Sequence, residues 1–92
     1  MSGARREVTI VNQRGLHARA SAKFVGMVAG LPEGVAVTVA KDGNEAVGGS
    51  ILGLMMLGAA KGDTVEIMVT GDEQDTVLDQ LCALVEDGFG EE

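Results

Sequence analysis

The sequence is poor in aromatic residues: its 92 positions include Phe24 and Phe89 but no Trp and no Tyr. A core must therefore come from Val, Leu, Ile, Ala and Met. A single Cys excludes an intramolecular disulfide, and with a single His it excludes the usual structural zinc sites. The longest apolar stretch, Ile51 to Leu57, is broken by Gly53 and falls far short of the roughly 20 residues a membrane helix needs. The N-terminus has no apolar signal region, so a protein of the reducing cytoplasm without membrane insertion is expected. No Walker or dinucleotide fingerprint is present, Gly48-Gly49 is too generic for a nucleotide loop, and no cofactor or metal is expected.

What is there suits one globular domain spanning residues 1–92, with 46% hydrophobic and 23% charged residues. The net charge of −7 opposes phosphate neutralisation and excludes nucleic acid as a first partner. That charge is unevenly spread. All seven basic residues lie within residues 1–61, whereas ten of the fourteen acids follow Gly62, giving +3 against −10. If these segments occupy different ends of the fold the surface is polarised, and an anion site belongs to the first segment.

Hydrophobic periodicity predicts a first strand over 8–12 and a helix beginning just after His17, with Ala20, Phe24, Met27, Val28 and Leu31 at helical spacing and Gly30 as its stop. Val35, Val37 and Val39 alternate with Ala36, Thr38 and Ala40 as a second strand. Asp42-Gly43 then suits a type I′ hairpin turn leading to a third strand ending at Val47. A two-turn helix over 51–57 follows, with Ser50 as N-cap and Gly58 as stop. Thr64 to Thr70 alternates with Val65, Ile67 and Val69 inward. The last helix carries Leu78, Leu81, Cys82 and Val85 inward, with Asp72 and Asp75 favouring its start and Gly88 its end. Residues 90–92 read as a frayed tail. The order βαββαβα, with strands that each have one polar face, predicts an α+β two-layer sandwich with an antiparallel or mixed sheet.

His17 is the one side chain whose ordinary pKa lies near neutrality. It follows Gly15-Leu16 at a helix start, where unpaired N–H groups and the dipole favour an anion, and Arg14, Arg19 and Lys23 stand near it in sequence. The set suits a phosphoryl group on imidazole, with Arg19 offering a planar fork to the phosphoryl oxygens. An ordinary loop histidine satisfies the same spacing. With no second His and no catalytic Ser pair, a reactive His17 needs a partner to complete the site. Helix two is apolar nearly all round, which predicts Leu54 and Leu57 in the core and Ile51, Leu52 and Met55 on a docking surface. Cys82 reads as a small buried hydrophobe.

The run Gly15-Leu16-His17-Ala18-Arg19-Ala20-Ser21-Ala22 resembles the active-site signature of the HPr family, the histidine-containing phosphocarriers of the phosphoenolpyruvate-dependent phosphotransferase system. Residues 50–57 resemble that family's regulatory-serine helix, and residues 60–63 its following turn. The resemblance implies an open-faced β-sandwich, a four-stranded antiparallel sheet covered on one face by three helices. It further implies a carrier rather than an enzyme, with His17 Nδ1 taking a phosphoryl group from phosphorylated enzyme I and giving it to a histidine of an enzyme IIA domain. Arg19 matches the arginine that stabilises the phosphoryl group. Ala18, Ala20 and Lys23 on helix one join Ile51, Leu52 and Met55 in the implied partner surface, and a monomer is expected. Ser50 matches a site that an HPr serine kinase/phosphatase modifies in some members.

Two positions depart from the pattern. Ala20 stands where proline is usual, so a slightly less rigid helix entry and retained activity with altered kinetics are expected, and Gly49 stands where many relatives carry Lys, which puts kinase recognition in doubt. The nitrogen-regulatory branch of the family and a protein-interaction module that makes no use of His17 are the alternative functions.

Overall fold

The computed structural model describes residues 3–91. Four strands, β1 (Ala4–Thr9), β2 (Ala36–Lys41), β3 (Asn44–Val47) and β4 (Thr64–Thr70), form one antiparallel sheet in the order β1-β4-β2-β3. Three helices, α1 (Ala18–Ala29), α2 (Ile51–Met56) and α3 (Gln74–Glu86), cover one face, and a 3₁₀ turn over Gly88–Gly90 follows α3. This is the four-stranded, three-helix architecture that the resemblance implies.

Sheet order explains the composition of the strands. The central strands β4 and β2 supply Val65, Ile67, Val69, Val37 and Val39 to the core, whereas the edge strands are short or charged, Ala4-Arg5-Arg6-Glu7 and Asn44-Glu45. Charged edges discourage pairing with another chain. The register sets Val8 opposite Val65, Val39 opposite Ile67 and Val37 opposite Val69, so the inward side chains of successive strands meet on the helical side. Val77, Leu78, Leu81, Cys82 and Val85 of α3 and Phe24 of α1 close over them. Burial pushes the Cys82 thiol pKa up, as expected of a packing residue.

The remaining boundaries follow local chemistry. Asp42 and Gly43 both have positive φ, 52° and 86°, as the I′ turn requires. Ser50 Oγ accepts from Gly53 N–H at 2.9 Å and caps α2, which ends into Gly58. Strand β4 spans the predicted residues.

Three expectations are corrected. Strand β1 starts four residues and ends three residues earlier than predicted, because Ala4 to Thr9 pair along β4, with the ion pairs Arg6–Asp79 of α3 at 2.6 Å and Arg5–Glu66 of β4 at 3.9 Å flanking the ladder. These same pairs interleave basic β1 with the acidic second half, so the two charge segments do not occupy separate ends. Finally, residues 90 and 91 are not a frayed tail, since the 3₁₀ turn carries the chain back to α1; Glu92 lies outside the described residues. Among the described residues no helix is long and apolar enough to cross a membrane.

Candidate functional site

The loop between β1 and α1 is fastened before it reaches His17. Ile10 N–H donates to Asp63 C=O at 2.8 Å, Gly62 N–H to Ile10 C=O at 2.8 Å, and Leu16 N–H to Ala59 C=O at 2.9 Å. Gly15 is required twice over: its φ is +65°, and a Cβ there would meet the Ala59 carbonyl oxygen at 2.3 Å. The turn therefore runs flush against residues 59–60, buries Leu16, and delivers the next residue to the first turn of α1.

That residue is His17, and it is the N-cap of α1. Its extended backbone, φ −78° and ψ −176°, lets Nδ1 accept the Arg19 N–H at 3.2 Å, while its carbonyl accepts the first helical bond from Ser21 N–H at 2.9 Å. The imidazole thus does what Ser or Asp does at other helix starts. Its Nδ1 points into a group of amides, those of Ala18, Arg19 and Ala20, that have no acceptor within the helix. No acidic residue lies in the first turn of α1. An open depression between the β1–α1 loop, α1 and the C-terminal turn is lined by Gln13, Arg14, Arg19, Lys23, Gly90 and Glu91. Arg14 and Arg19 are exposed, and among the described residues neither guanidinium has a partner. Electrostatically this is a place for an anion.

The other ring nitrogen is occupied. Nε2 lies 2.8 Å from Glu91 Oε2, and the opposite carboxylate oxygen accepts from Asn12 Nδ2 at 3.1 Å. Asn12 also donates to Gly15 C=O at 2.9 Å and is almost fully buried, which ties the carboxylate to the loop that carries His17. Lys23 Nζ donates to Phe89 C=O at 2.6 Å and holds the 3₁₀ turn against α1. Partial burial pushes the Glu91 pKa upward, but the hydrogen bonds from Asn12 and His17 and the charges of His17 and Lys23 outweigh it, leaving the carboxyl below its ordinary value.

The sequence-predicted residues are thus distributed unevenly. His17, Arg19, Ala18 and Lys23 come together at the start of α1. Ala20, expected on the partner surface, is instead wholly enclosed: at the third helical position its side chain lies in the core and adds nothing to the exposed surface. Lys23 is exposed, yet its ammonium already binds the C-terminal turn. Ile51, Leu52 and Met55 are exposed on α2, Leu54 is fully buried and Leu57 is half-buried. Met56, which periodicity did not single out, is the most exposed of them at 77%. Ser50 heads this helix, partly exposed. Sequence reasoning missed Asn12 and Glu91. Asn12 carried a turn signal only, and Glu91 carried none.

Residues 4–87 match the family described as the PTS HPr component phosphorylation site. The phosphocarrier protein HPr of Pseudomonas putida is 43% identical over 86 residues, covering 94% of each chain, and the phosphocarrier protein NPr of Shewanella violacea is 36% identical over 99% of this chain and 98% of its own. Among solved structures, HPr-C-His from Thermoanaerobacter tengcongensis superposes with a TM-score of 0.88 at 34% identity, covering 97% of this chain and 98% of that one. With a match over nearly its whole length in sequence and in fold, the chain belongs to the HPr family of the phosphotransferase system, whose members are phosphocarriers rather than enzymes.

Proposed function

We propose that His17 accepts a phosphoryl group on Nδ1 from phosphorylated enzyme I and passes it to a histidine of an enzyme IIA domain. The observation that carries this reading is the position of Nδ1 as a helix N-cap, aimed at amides that an anion would satisfy. In the free protein its lone pair is occupied by the Arg19 amide. When Nδ1 attacks phosphorus, that lone pair becomes the N–P bond and the donor nitrogen leaves with its own electron pair. The Arg19 amide is then released and, with the amides of Ala18 and Ala20, meets the arriving phosphoryl oxygens, while the Arg19 guanidinium closes on them from outside. The dipole of α1 favours the dianion throughout. Transfer onward reverses these steps with a new acceptor nitrogen.

The exposed apolar side chains of Ile51, Leu52, Met55 and Met56 form the docking surface for both partners, Met supplying side chains that repack against different faces. The protein acts as a cytoplasmic monomer, presenting one face to successive partners. Phosphorylation of Ser50 by a serine kinase would place about −1.5 to −2 charges beside that patch and weaken docking without altering the fold. The similarity to an NPr protein favours a second reading, in which the output is regulation of partner proteins rather than sugar uptake.

Incubation with radiolabelled phosphoenolpyruvate and enzyme I, beside a His17→Ala control, tests the reading. Acid-labile label on the wild type and none on the variant is expected. Absence of label, with an enzyme I shown to be active on another carrier, overturns it.

A further inference from the structure

Nothing in the phosphocarrier reading requires an acidic residue, yet Glu91 is the best-anchored polar side chain at the site. Both carboxylate oxygens are engaged, one by His17 Nε2 at 2.8 Å and one by Asn12 Nδ2 at 3.1 Å. The chain is brought there at a cost. Phe89 adopts a positive φ of 59°, which non-glycine residues avoid, while its side chain is 1% exposed and its carbonyl is held by Lys23 at 2.6 Å. Asn12 gives both amide hydrogens to the arrangement, to Glu91 and to Gly15, and leaves its own buried Oδ1 without a partner among the described residues. A loose surface ion pair needs neither the strained residue nor the orphaned acceptor.

We propose that Glu91 is a positioning residue for His17, accepting the hydrogen bond of Nε2–H so that the Nδ1 lone pair is the ring's only nucleophile. The inference rests on the phosphocarrier reading and adds to it what selects the reactive nitrogen. An ionised carboxylate only accepts hydrogen bonds, so the nitrogen it faces must carry the hydrogen. Nδ1 faces a backbone N–H, which only donates, so it must carry the lone pair. The two contacts demand the same tautomer from opposite edges of the ring and fix the ring plane between them.

The consequence for transfer follows from charge. When Nδ1 bonds to phosphorus and the donor's bond breaks, the Nε2 hydrogen stays in place and the ring becomes a cation. Glu91 then faces that cation directly, while the phosphoryl group sits on the far side of the ring among the α1 amides. The carboxylate thus stabilises the cation and keeps the ring protonated at Nε2, the form in which the imidazole is the better leaving group when the phosphoryl moves on.

The test uses the full chain as wild type, Glu91→Ala and Glu91→Gln. In proton NMR, the His17 Nε2–H resonance is expected to be downfield and protected from solvent exchange in the wild type. It should be lost to exchange in Glu91→Ala and retained at a less downfield position in Glu91→Gln, whose amide oxygen still accepts. Phosphotransfer from phosphorylated enzyme I should fall about tenfold in Glu91→Ala, the low end of the range for removing the carboxylate partner of a metal-ligating imidazole, and less in Glu91→Gln. A wild-type Nε2–H that exchanges freely, or a Glu91→Ala variant that transfers at the wild-type rate, overturns the proposal. If the wild type accepts no phosphoryl group at all, the phosphocarrier reading fails, and the Nε2–H resonance still decides whether Glu91 holds the ring.

Discussion

Two helices in this molecule begin in the same way and do different things. His17 caps α1 by accepting the Arg19 N–H on Nδ1, and Ser50 caps α2 by accepting the Gly53 N–H on Oγ. In each case the capping atom is the one that the proposed function phosphorylates. The surroundings separate them. The start of α1 is flanked by Arg14, Arg19 and Lys23 and is fastened from the other side by Glu91 and Asn12, whereas α2 has no acid in its first turn, no base in its last, and a surface of Ile51, Leu52, Met55 and Met56. A capped helix start beside Arg14 and Arg19, whose guanidinium groups have no partner among the described residues, suits chemistry, while a capped helix start on an apolar patch suits docking. The backbone motif is shared, and the side chains around it decide the use.

The largest expected effect breaks the fastening at α1 alone. Phe89 is one of two aromatic side chains in the core and anchors the turn that presents Glu91. Phe89→Ala should lower stability by about 3–5 kcal/mol, the range for removing a buried aromatic ring, and alanine, which keeps a Cβ, bears the same positive φ. Urea unfolding measures that loss. Exchange of the His17 Nε2–H in the folded fraction measures release of the tail. The Gly53 amide at the start of α2 should keep its protection, and equal loosening at both helix starts would show that the two are not independent.

The contrast also explains how much could be read from sequence. Alternation in 35–40 and 64–70 located β2 and β4 because one face of each is fully buried and the other is not, and the start of α1 followed from Gly15 and the periodicity beyond His17. Strand β1 was displaced because Arg5, Arg6 and Glu7 look like a solvated run until Asp79 and Glu66 are brought alongside by the fold. At the site, the cationic side was legible, since its residues are close in sequence. The anionic side was not: Glu91 is separated from His17 by 74 positions and is one of ten acids in the second segment. Its selection depends on where Phe89 finds room in the core. Ala20 misled in the opposite direction, because membership of the motif says nothing about which way the side chain faces.

A smaller effect is expected at the other helix start. Ser50→Asp keeps an N-cap of equal quality and a charge that the helix dipole favours, so the thermal midpoint should barely move. Its affinity for enzyme I should fall about tenfold, which is about 1.4 kcal/mol, through the charge placed beside Leu52 and Met55. Titration calorimetry reads the affinity, and the His17 Nε2–H resonance should be unchanged. Unaltered affinity for upstream and downstream partners alike would end the case for Ser50 as a switch and leave it as a cap only.

The smallest effect separates the two helix starts by pH. The Glu91 carboxyl is held below its ordinary value of 4.5 because the contributions of Asn12, His17 and Lys23 exceed that of partial burial. A carboxyl with a depressed folded-state pKa stabilises the fold above its unfolded value, and this contribution disappears as pH falls through the folded value. Wild type should therefore exceed Glu91→Gln in urea midpoint above pH 4.5, and the difference should shrink as pH falls below 4.5 through the folded value. The Ser50 cap contains no titrating group, so the difference between wild type and Ser50→Ala should stay constant over the same interval. A Glu91 difference that is equally constant would mean that the carboxylate is not ion-paired in the folded protein, and that only its hydrogen-bonding geometry holds the ring. Because Glu91→Gln preserves that geometry, the two contributions separate in a single pH series, which decides whether charge or shape fixes the reactive nitrogen.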